Sequence, residues 1–151
     1  MLALVIDSSI ALGFVLRVVA GCIAVAVVPS VWILLCTFLL ALFLGFGKRR
    51  HELLLVESGM RGHRQVLDNY GIKFLDQMIV VVSALTITCY IMFTVWPDTV
   101  QRHGTANLVY TVPLVLYGLF RYDFLVYRAE EGGNPTGLML TDRPLLLTLL
   151  L

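Results

Sequence analysis

Residues 31–52, VWILLCTFLLALFLGFGKRRHE, decide the fold class. The first part of this stretch, 31–46, is apolar throughout, and Gly47 and the basic run Lys48-Arg49-Arg50 follow at once. An apolar run that ends in cations is typical of a helix leaving the bilayer. The composition agrees, because 59% of the 151 residues are hydrophobic and 14% are charged, where a globular domain carries roughly 25% charged residues. With a mean hydropathy of +0.89, the sequence excludes an ordinary soluble domain.

Working outward from this stretch, further apolar runs predict the membrane path. We expect spans at about 2–28, 31–46, 78–96 and 106–127, and the start of a fifth at 144–151, which is too short to cross a core about 30 Å thick. The segments 47–76, 97–105 and 128–143 are predicted as loops. Met1 begins inside an apolar run without signal-peptide architecture. The expected fold is therefore an incomplete all-α, polytopic transmembrane helix bundle, with 1–151 as part of one membrane-embedded domain.

The placement of basic residues predicts the orientation. The segment 47–76 holds six of the eleven basic residues, namely Lys48, Arg49, Arg50, Arg61, Arg64 and Lys73. Because cytoplasmic loops are enriched in Lys and Arg, this segment is predicted to be cytoplasmic, in a multi-pass protein of the plasma membrane. By alternation the Asp7 end of the first span and the loop 128–143 share that side. Polar clusters would then converge at one face, as a lipid-modifying site with a soluble cosubstrate requires.

Arg17 is the most informative single residue. It lies about 15 Å along a helix from Asp7, near the middle of the bilayer, where a charge is costly and faces a bundle interior or a watery cavity. We expect Arg17 to anchor a phosphate group. The alternative is a structural ion pair with an acid elsewhere in the bundle.

The run Lys48-Arg49-Arg50-His51-Glu52 is the second candidate site. Three cations at a helix end, with Glu52 orienting them, suit a diphosphate or polyphosphate group. The alternative is that these cations only fix topology. His51-Glu52 is not a zincin motif, because position 55 is Leu.

Weaker candidates are distributed along the rest of the chain. They are His63, Arg64, Tyr70 and Asp76 in the segment 47–76, Arg121 and Tyr122 in the fourth span, and Asp142 and Arg143 before the last helix. Each of these residues has an alternative structural role, as an interfacial residue or, for Asp142-Arg143, as a helix cap. The three cysteines, in apolar runs without CxxC spacing, predict no zinc site or disulfide framework. No catalytic triad, dinucleotide loop or nucleic-acid-binding face is recognisable in the sequence.

In their order along the chain, several motifs resemble the decaprenyl-phosphate phosphoribosyltransferases, a branch of the UbiA-type prenyltransferase superfamily. They are GFVLRVVAG (13–21), LLCTFLLALFLGFGKRRHEL (34–53), FLDQM (74–78), YGLFRY (117–122) and LTDRPL (140–145). The resemblance implies a nine-helix bundle, of which this chain supplies about the fifth helix to the start of the ninth. Relatives carry two Asp-rich motifs; the first belongs to the half that precedes this chain, and Lys48-Arg49-Arg50-His51-Glu52 stands at the place of the second.

The resemblance also implies a reaction. Such enzymes transfer 5-phosphoribose from phosphoribosyl diphosphate to a polyprenyl phosphate with Mg²⁺ and release diphosphate, in the synthesis of arabinan precursors for the cell wall. On this basis Arg17, Lys48, Arg49, Arg50, Glu52, Arg64, Arg121, Tyr122, Asp142 and Arg143 are the expected substrate-binding residues. The Mg²⁺ ligands are expected mainly outside this chain, which is expected to be inactive alone. The alternatives are a prenyltransferase with a prenyl diphosphate donor and an aromatic acceptor, or a small non-enzymatic membrane subunit.

Overall fold

The computed structural model describes residues 2–59, 65–128, 137 and 140–150, and every regular element in that part of the chain is a helix. The helices are α1 (Leu2–Ala24), α2 (Val31–Gly59), α3 (Gln65–Val95), α4 (Pro97–His103), a 3-10 helix (Asn107–Thr111), α5 (Val112–Arg128) and α6 (Arg143–Leu150). Four segments are long and apolar enough to cross a membrane, namely Leu4–Ala24, Val31–Leu54, Gly71–Val95 and Asn107–Tyr127. The chain is a multi-pass membrane protein, and the all-α fold class is confirmed.

Helix α2 is the centre of the bundle. It packs against α1 on one side and α3 on the other, while α5 packs on α3 and contacts α6. The core lies where α2, α3 and α5 meet, around the fully buried side chains of Phe43 and Ile79. The Phe43 ring lies 5.2 Å from that of Tyr122, at a tilt of 53°. This core fixes the ends of the three helices against one another, which positions the charged residues beyond it.

The segment 47–76, predicted as a polar loop, is largely helical, so that prediction was wrong. Helix α2 continues to Gly59, ~20 Å beyond Phe46 at 1.5 Å per residue, and α3 already begins at Gln65. A change from apolar to charged residues marks a change of environment, but it does not end a helix. The basic run therefore lies on one continuous helix, which determines where each of its side chains points.

Two smaller boundaries also differ from the predictions. Helix α1 ends at Ala24 and not at 28, because Ala26 takes a left-handed conformation (φ 54°) and Val27 N–H donates to Cys22 O (2.9 Å), the geometry of a Schellman cap. The predicted loop 97–105 contains α4, whose first residue, Pro97, suits a helix start. Pro113 lies at the second residue of α5, where its missing N–H breaks no helical hydrogen bond.

Candidate functional site

A cavity of about 680 Å³ lies between α1 and α2, at the end of the bundle where α1 begins. Its walls are apolar and its rim is charged. The apolar residues are Ile6, Ile10, Phe14, Leu40, Ala41 and Leu44, and the charged ones are Asp7, Lys48, Arg49 and Glu52. An elongated ligand with an apolar body and a charged end matches this division.

Gly45 brings α1 and α2 together beside the cavity. A Cβ at this position would lie 3.6 Å from Cβ and Cγ of Asp7, so only a small residue fits between the two helices. The Asp7 side chain is thereby buried against α2, 7% exposed, although it belongs to a helix of apolar composition. A buried carboxylate needs a cation, and Arg49 supplies it.

Arg49 joins the two carboxylates at the rim. Its Nη2 lies 3.7 Å from Asp7 Oδ1, and its Nη1 donates to Glu52 Oε2 at 3.1 Å. The Nε of Arg49 is buried and has no hydrogen-bond partner among the described residues. The two acids hold the guanidinium in place at the rim of the cavity. Sequence analysis anticipated the contact with Glu52 and missed Asp7 as a partner.

Lys48 differs from its neighbours. It lines the cavity and is exposed, and it makes no hydrogen bond or ion pair with any residue that the structure describes. An ammonium at the end of an apolar groove, beyond ion-pair distance of the nearby Asp7 carboxylate, is well placed to receive an anion.

Arg50 points away from the cavity, towards α3 and α5. Its Nε donates to Asp76 Oδ1 at 2.6 Å, its Nη1 donates to Val126 O at 3.2 Å, and its guanidinium lies 4.5 Å from the centre of the Tyr127 ring. The Arg50 side chain is only 11% exposed. The described contacts of Arg50 join three helices, and its expected phosphate-binding role stays a prediction.

Arg121 and Asp142 form a further ion pair, between α5 and the start of α6. The Nε and Nη2 of Arg121 both donate to Asp142 Oδ2, at 3.1 and 3.0 Å, and so tie α5 to the start of α6. Arg143, the first residue of α6, is exposed and makes no ion pair within the described residues. The described pair has a clear structural function, and it lies outside the α1–α2 cavity.

Tyr122 belongs to the core. It is 2% exposed, and its hydroxyl lies beside Gly47 of α2, where a Cβ would be 3.3 Å from the oxygen. The hydroxyl has no hydrogen-bond partner among the described residues. Its expected contact with a substrate stays a prediction.

Arg17 lies apart from the other charged residues. It is exposed on α1 and its guanidinium lies 5.3 Å from the centre of the Phe14 ring. The expected position facing a bundle interior is not found within the described residues, and its phosphate-binding role stays a prediction. His63 and Arg64 lie outside the described residues, as does the side chain of Tyr70.

Similarity to a known protein agrees with the motifs and the membrane fold described above. No protein-family profile matches the chain. The chain is 29% identical, over 136 residues, to a decaprenyl-phosphate phosphoribosyltransferase from Corynebacterium glutamicum, and the similarity covers 88% of this chain and 40% of that protein. The resemblance stated from the motifs is thus confirmed at the level of the family. The chain spans about two fifths of the length of the curated relative it matches.

Proposed function

We propose that this chain forms part of a membrane transferase that moves 5-phosphoribose from phosphoribosyl diphosphate to a polyprenyl phosphate. The observation that carries the proposal is the α1–α2 cavity, in which apolar walls lead up to the cations of Lys48 and Arg49. A polyprenyl phosphate has the same division, with a long apolar chain and one anionic end. The similarity to a phosphoribosyltransferase over most of the chain supports the same substrate class.

The chemistry agrees with the residues that are available. The oxygen of the lipid phosphate forms a bond to the anomeric carbon of the ribose, the bond from that carbon to the diphosphate breaks, and the diphosphate leaves with the electron pair. The nucleophile is already an anion, so the reaction needs no strong general base. Its barrier lies in bringing two anions together and in stabilising the leaving group, which fixed cations do.

The contacts assign different roles to the basic residues. Lys48, which has no ion pair within the described residues, binds the lipid phosphate, and the Arg49 guanidinium at the rim adds a second positive charge beside it. Asp7 and Glu52 hold the Arg49 guanidinium in position. Arg50 and Arg121 keep α3, α5 and α6 in register through their ion pairs, and so act on the structure of the site without touching the substrate.

The Mg²⁺ that the resemblance implies stays a proposal, with its ligands mainly outside this chain. Across residues 2–59, 65–128 and 140–150, no three side chains of His, Cys, Asp or Glu come together in a way that could hold a metal ion. The steps proposed here therefore use only the cations of this chain. The sidedness follows from the same proposal, with the charged rim at the cytoplasmic face of the plasma membrane, where phosphoribosyl diphosphate is available.

The activity is tested in a chimera, because this chain covers two fifths of its relative. The matched part of the Corynebacterium glutamicum enzyme is replaced by residues 1–151, and membranes of the host are supplied with labelled phosphoribosyl diphosphate and decaprenyl phosphate. Transfer of label to the lipid supports the proposal. Transfer from a prenyl diphosphate to an aromatic acceptor would support the alternative prenyltransferase. A chimera that elutes as a folded protein and transfers neither group would favour a non-enzymatic subunit.

Binding is tested on the chain itself. Purified in detergent, residues 1–151 should bind decaprenyl phosphate more tightly than decaprenol, and Lys48→Met should weaken the binding of the phosphate lipid about 10-fold, the value for one charge-assisted hydrogen bond. Lys73→Met is the matched control, since Lys73 is exposed on α3 outside the cavity. An equal loss in both variants would mean that general charge, and not the cavity, holds the lipid.

A further inference from the structure

A second cavity, of about 590 Å³, lies at the opposite end of the bundle. It is enclosed by the end of α1, the turn into α2, the end of α3 and helix α4. Cys22 on its wall is ~22 Å along α1 from Asp7 at the rim of the first cavity. The two cavities therefore lie near opposite faces of the membrane, and the second takes no part in the function proposed above.

Two tryptophans place this cavity at the boundary between lipid and water. Trp32, near the start of α2, and Trp96, directly before α4, both line it, and their ring centroids are 5.3 Å apart. Tryptophan is enriched at membrane interfaces because one edge of the ring is polar and the rest is apolar. Beside them the apolar side chains of Val28 and Val31 are about 70% exposed, on the turn and the helix start that form the same wall.

The charged residues of the cavity come from one face of α4. Asp98 and Arg102 are one helical turn apart, both are exposed, and both line the cavity. Arg102 Nη1 donates to Val28 O at 2.5 Å, which uses one of the five N–H groups of the guanidinium. Asp98 makes no hydrogen bond or ion pair within the described residues. His103, the other basic residue there, has its Nδ1 2.9 Å from Thr99 O. The cavity thus offers one carboxylate and one guanidinium, with the His103 ring beside them.

We propose that this cavity binds the headgroup of a zwitterionic phospholipid of the phosphoethanolamine class. The phosphate accepts hydrogen bonds from the unused N–H groups of Arg102, and the primary ammonium donates to Asp98. The acyl chains lie along Cys22 and Phe93, which line the cavity on the membrane side of the tryptophans. An anionic headgroup leaves Asp98 without a partner and adjacent to a like charge. A choline headgroup has no N–H with which to bond to the carboxylate.

The experiment is native mass spectrometry of the purified 151-residue chain in detergent, with phosphatidylethanolamine, phosphatidylcholine and phosphatidylglycerol of identical acyl chains added in equal amounts. We expect the ethanolamine lipid to be retained about 10-fold more than either of the others, the value for one charge-assisted hydrogen bond. Equal retention of the choline lipid, or preference for the glycerol lipid, would overturn the proposal.

Two variants and one competitor locate the binding. Asp98→Asn, at an exposed residue without partners among the described ones, should remove the preference for ethanolamine over choline and leave the total of bound lipid nearly unchanged. Arg102→Gln should lower the binding of both zwitterionic lipids, while Lys73→Gln at the other end of the bundle should lower neither. An unaltered preference in Asp98→Asn overturns the proposal. Displacement of the lipid by free phosphoethanolamine at the same concentration would show that a soluble headgroup compound, and not a membrane lipid, is the ligand.

Discussion

The Arg50–Asp76 ion pair should contribute to stability and not to substrate affinity. Replacement of Arg50 by Met keeps the aliphatic stem and removes the charge, which leaves Asp76 without its partner at 2.6 Å and Val126 O without its donor. Breaking a fully buried pair costs about 3–5 kcal/mol, and an exposed pair at most ~1 kcal/mol. With side chains 11% and 32% exposed, this pair lies between the two limits, and we expect Arg50→Met to lower the free energy of unfolding by about 2–3 kcal/mol.

The assay is heat-induced unfolding of the purified chain in detergent, followed by circular dichroism. At about 2–4 °C per kcal/mol for a chain of this size, Arg50→Met should lower Tm by roughly 5–10 °C. Asp76→Asn, which keeps the size of the side chain, should cost less. The double variant should be more stable than the sum of the single losses predicts, by about 1–2 kcal/mol, because the second change removes a charge that the first left unpaired.

A second measurement separates the structural role from the one that the sequence predicted. At a temperature where Arg50→Met is still folded, its affinity for decaprenyl phosphate should equal that of the parent chain. Additive effects of the two single changes would refute the reasoning about the pair. A loss of affinity in folded Arg50→Met would show that Arg50 takes part in binding the lipid phosphate.

Three further changes test other parts of the structure. Gly45→Leu should fill the α1–α2 cavity beside Asp7 and abolish retention of decaprenyl phosphate in a gel-filtration binding assay, whereas Gly45→Ala, with its Cβ at ordinary contact distance, should retain the lipid. Ala26→Gly should raise the free energy of unfolding by ~0.5–1 kcal/mol, because glycine takes a positive φ without strain, and a lower Tm would contradict this account of the cap. Tyr122→Phe should leave Tm unchanged or raise it, since the buried hydroxyl has no partner among the described residues; a clear fall in Tm would reveal a hydrogen bond of that hydroxyl.

The membrane path was predictable, because apolar composition and length follow from the physics of the bilayer for each segment separately. The contacts of the charged residues were harder to predict. That Glu52 orients a cation could be anticipated from its position beside the basic run, and the structure pairs it with Arg49. Asp76 is far along the chain and meets Arg50 only because α3 packs on α2. The burial of Asp7 could not be anticipated, because it depends on the register of α1 on α2 and on the absence of a side chain at Gly45.

The sequence predicted the basic run as one group of charges, and helix α2 separates its members. On a helix, successive residues are turned by about 100°, so three adjacent side chains cannot share one phosphate group as they would on an extended loop. Lys48 accordingly lines the α1–α2 cavity, Arg49 binds the carboxylate of α1, and Arg50 reaches α3 and α5. The continuation of α2 beyond its apolar part therefore divides the run into one residue for a ligand, one that is fixed at the rim and one that holds the bundle together. A larger number of cations in this run would not by itself make a stronger anion site. The angular position of each residue around the axis of α2 determines which neighbouring groups its side chain contacts.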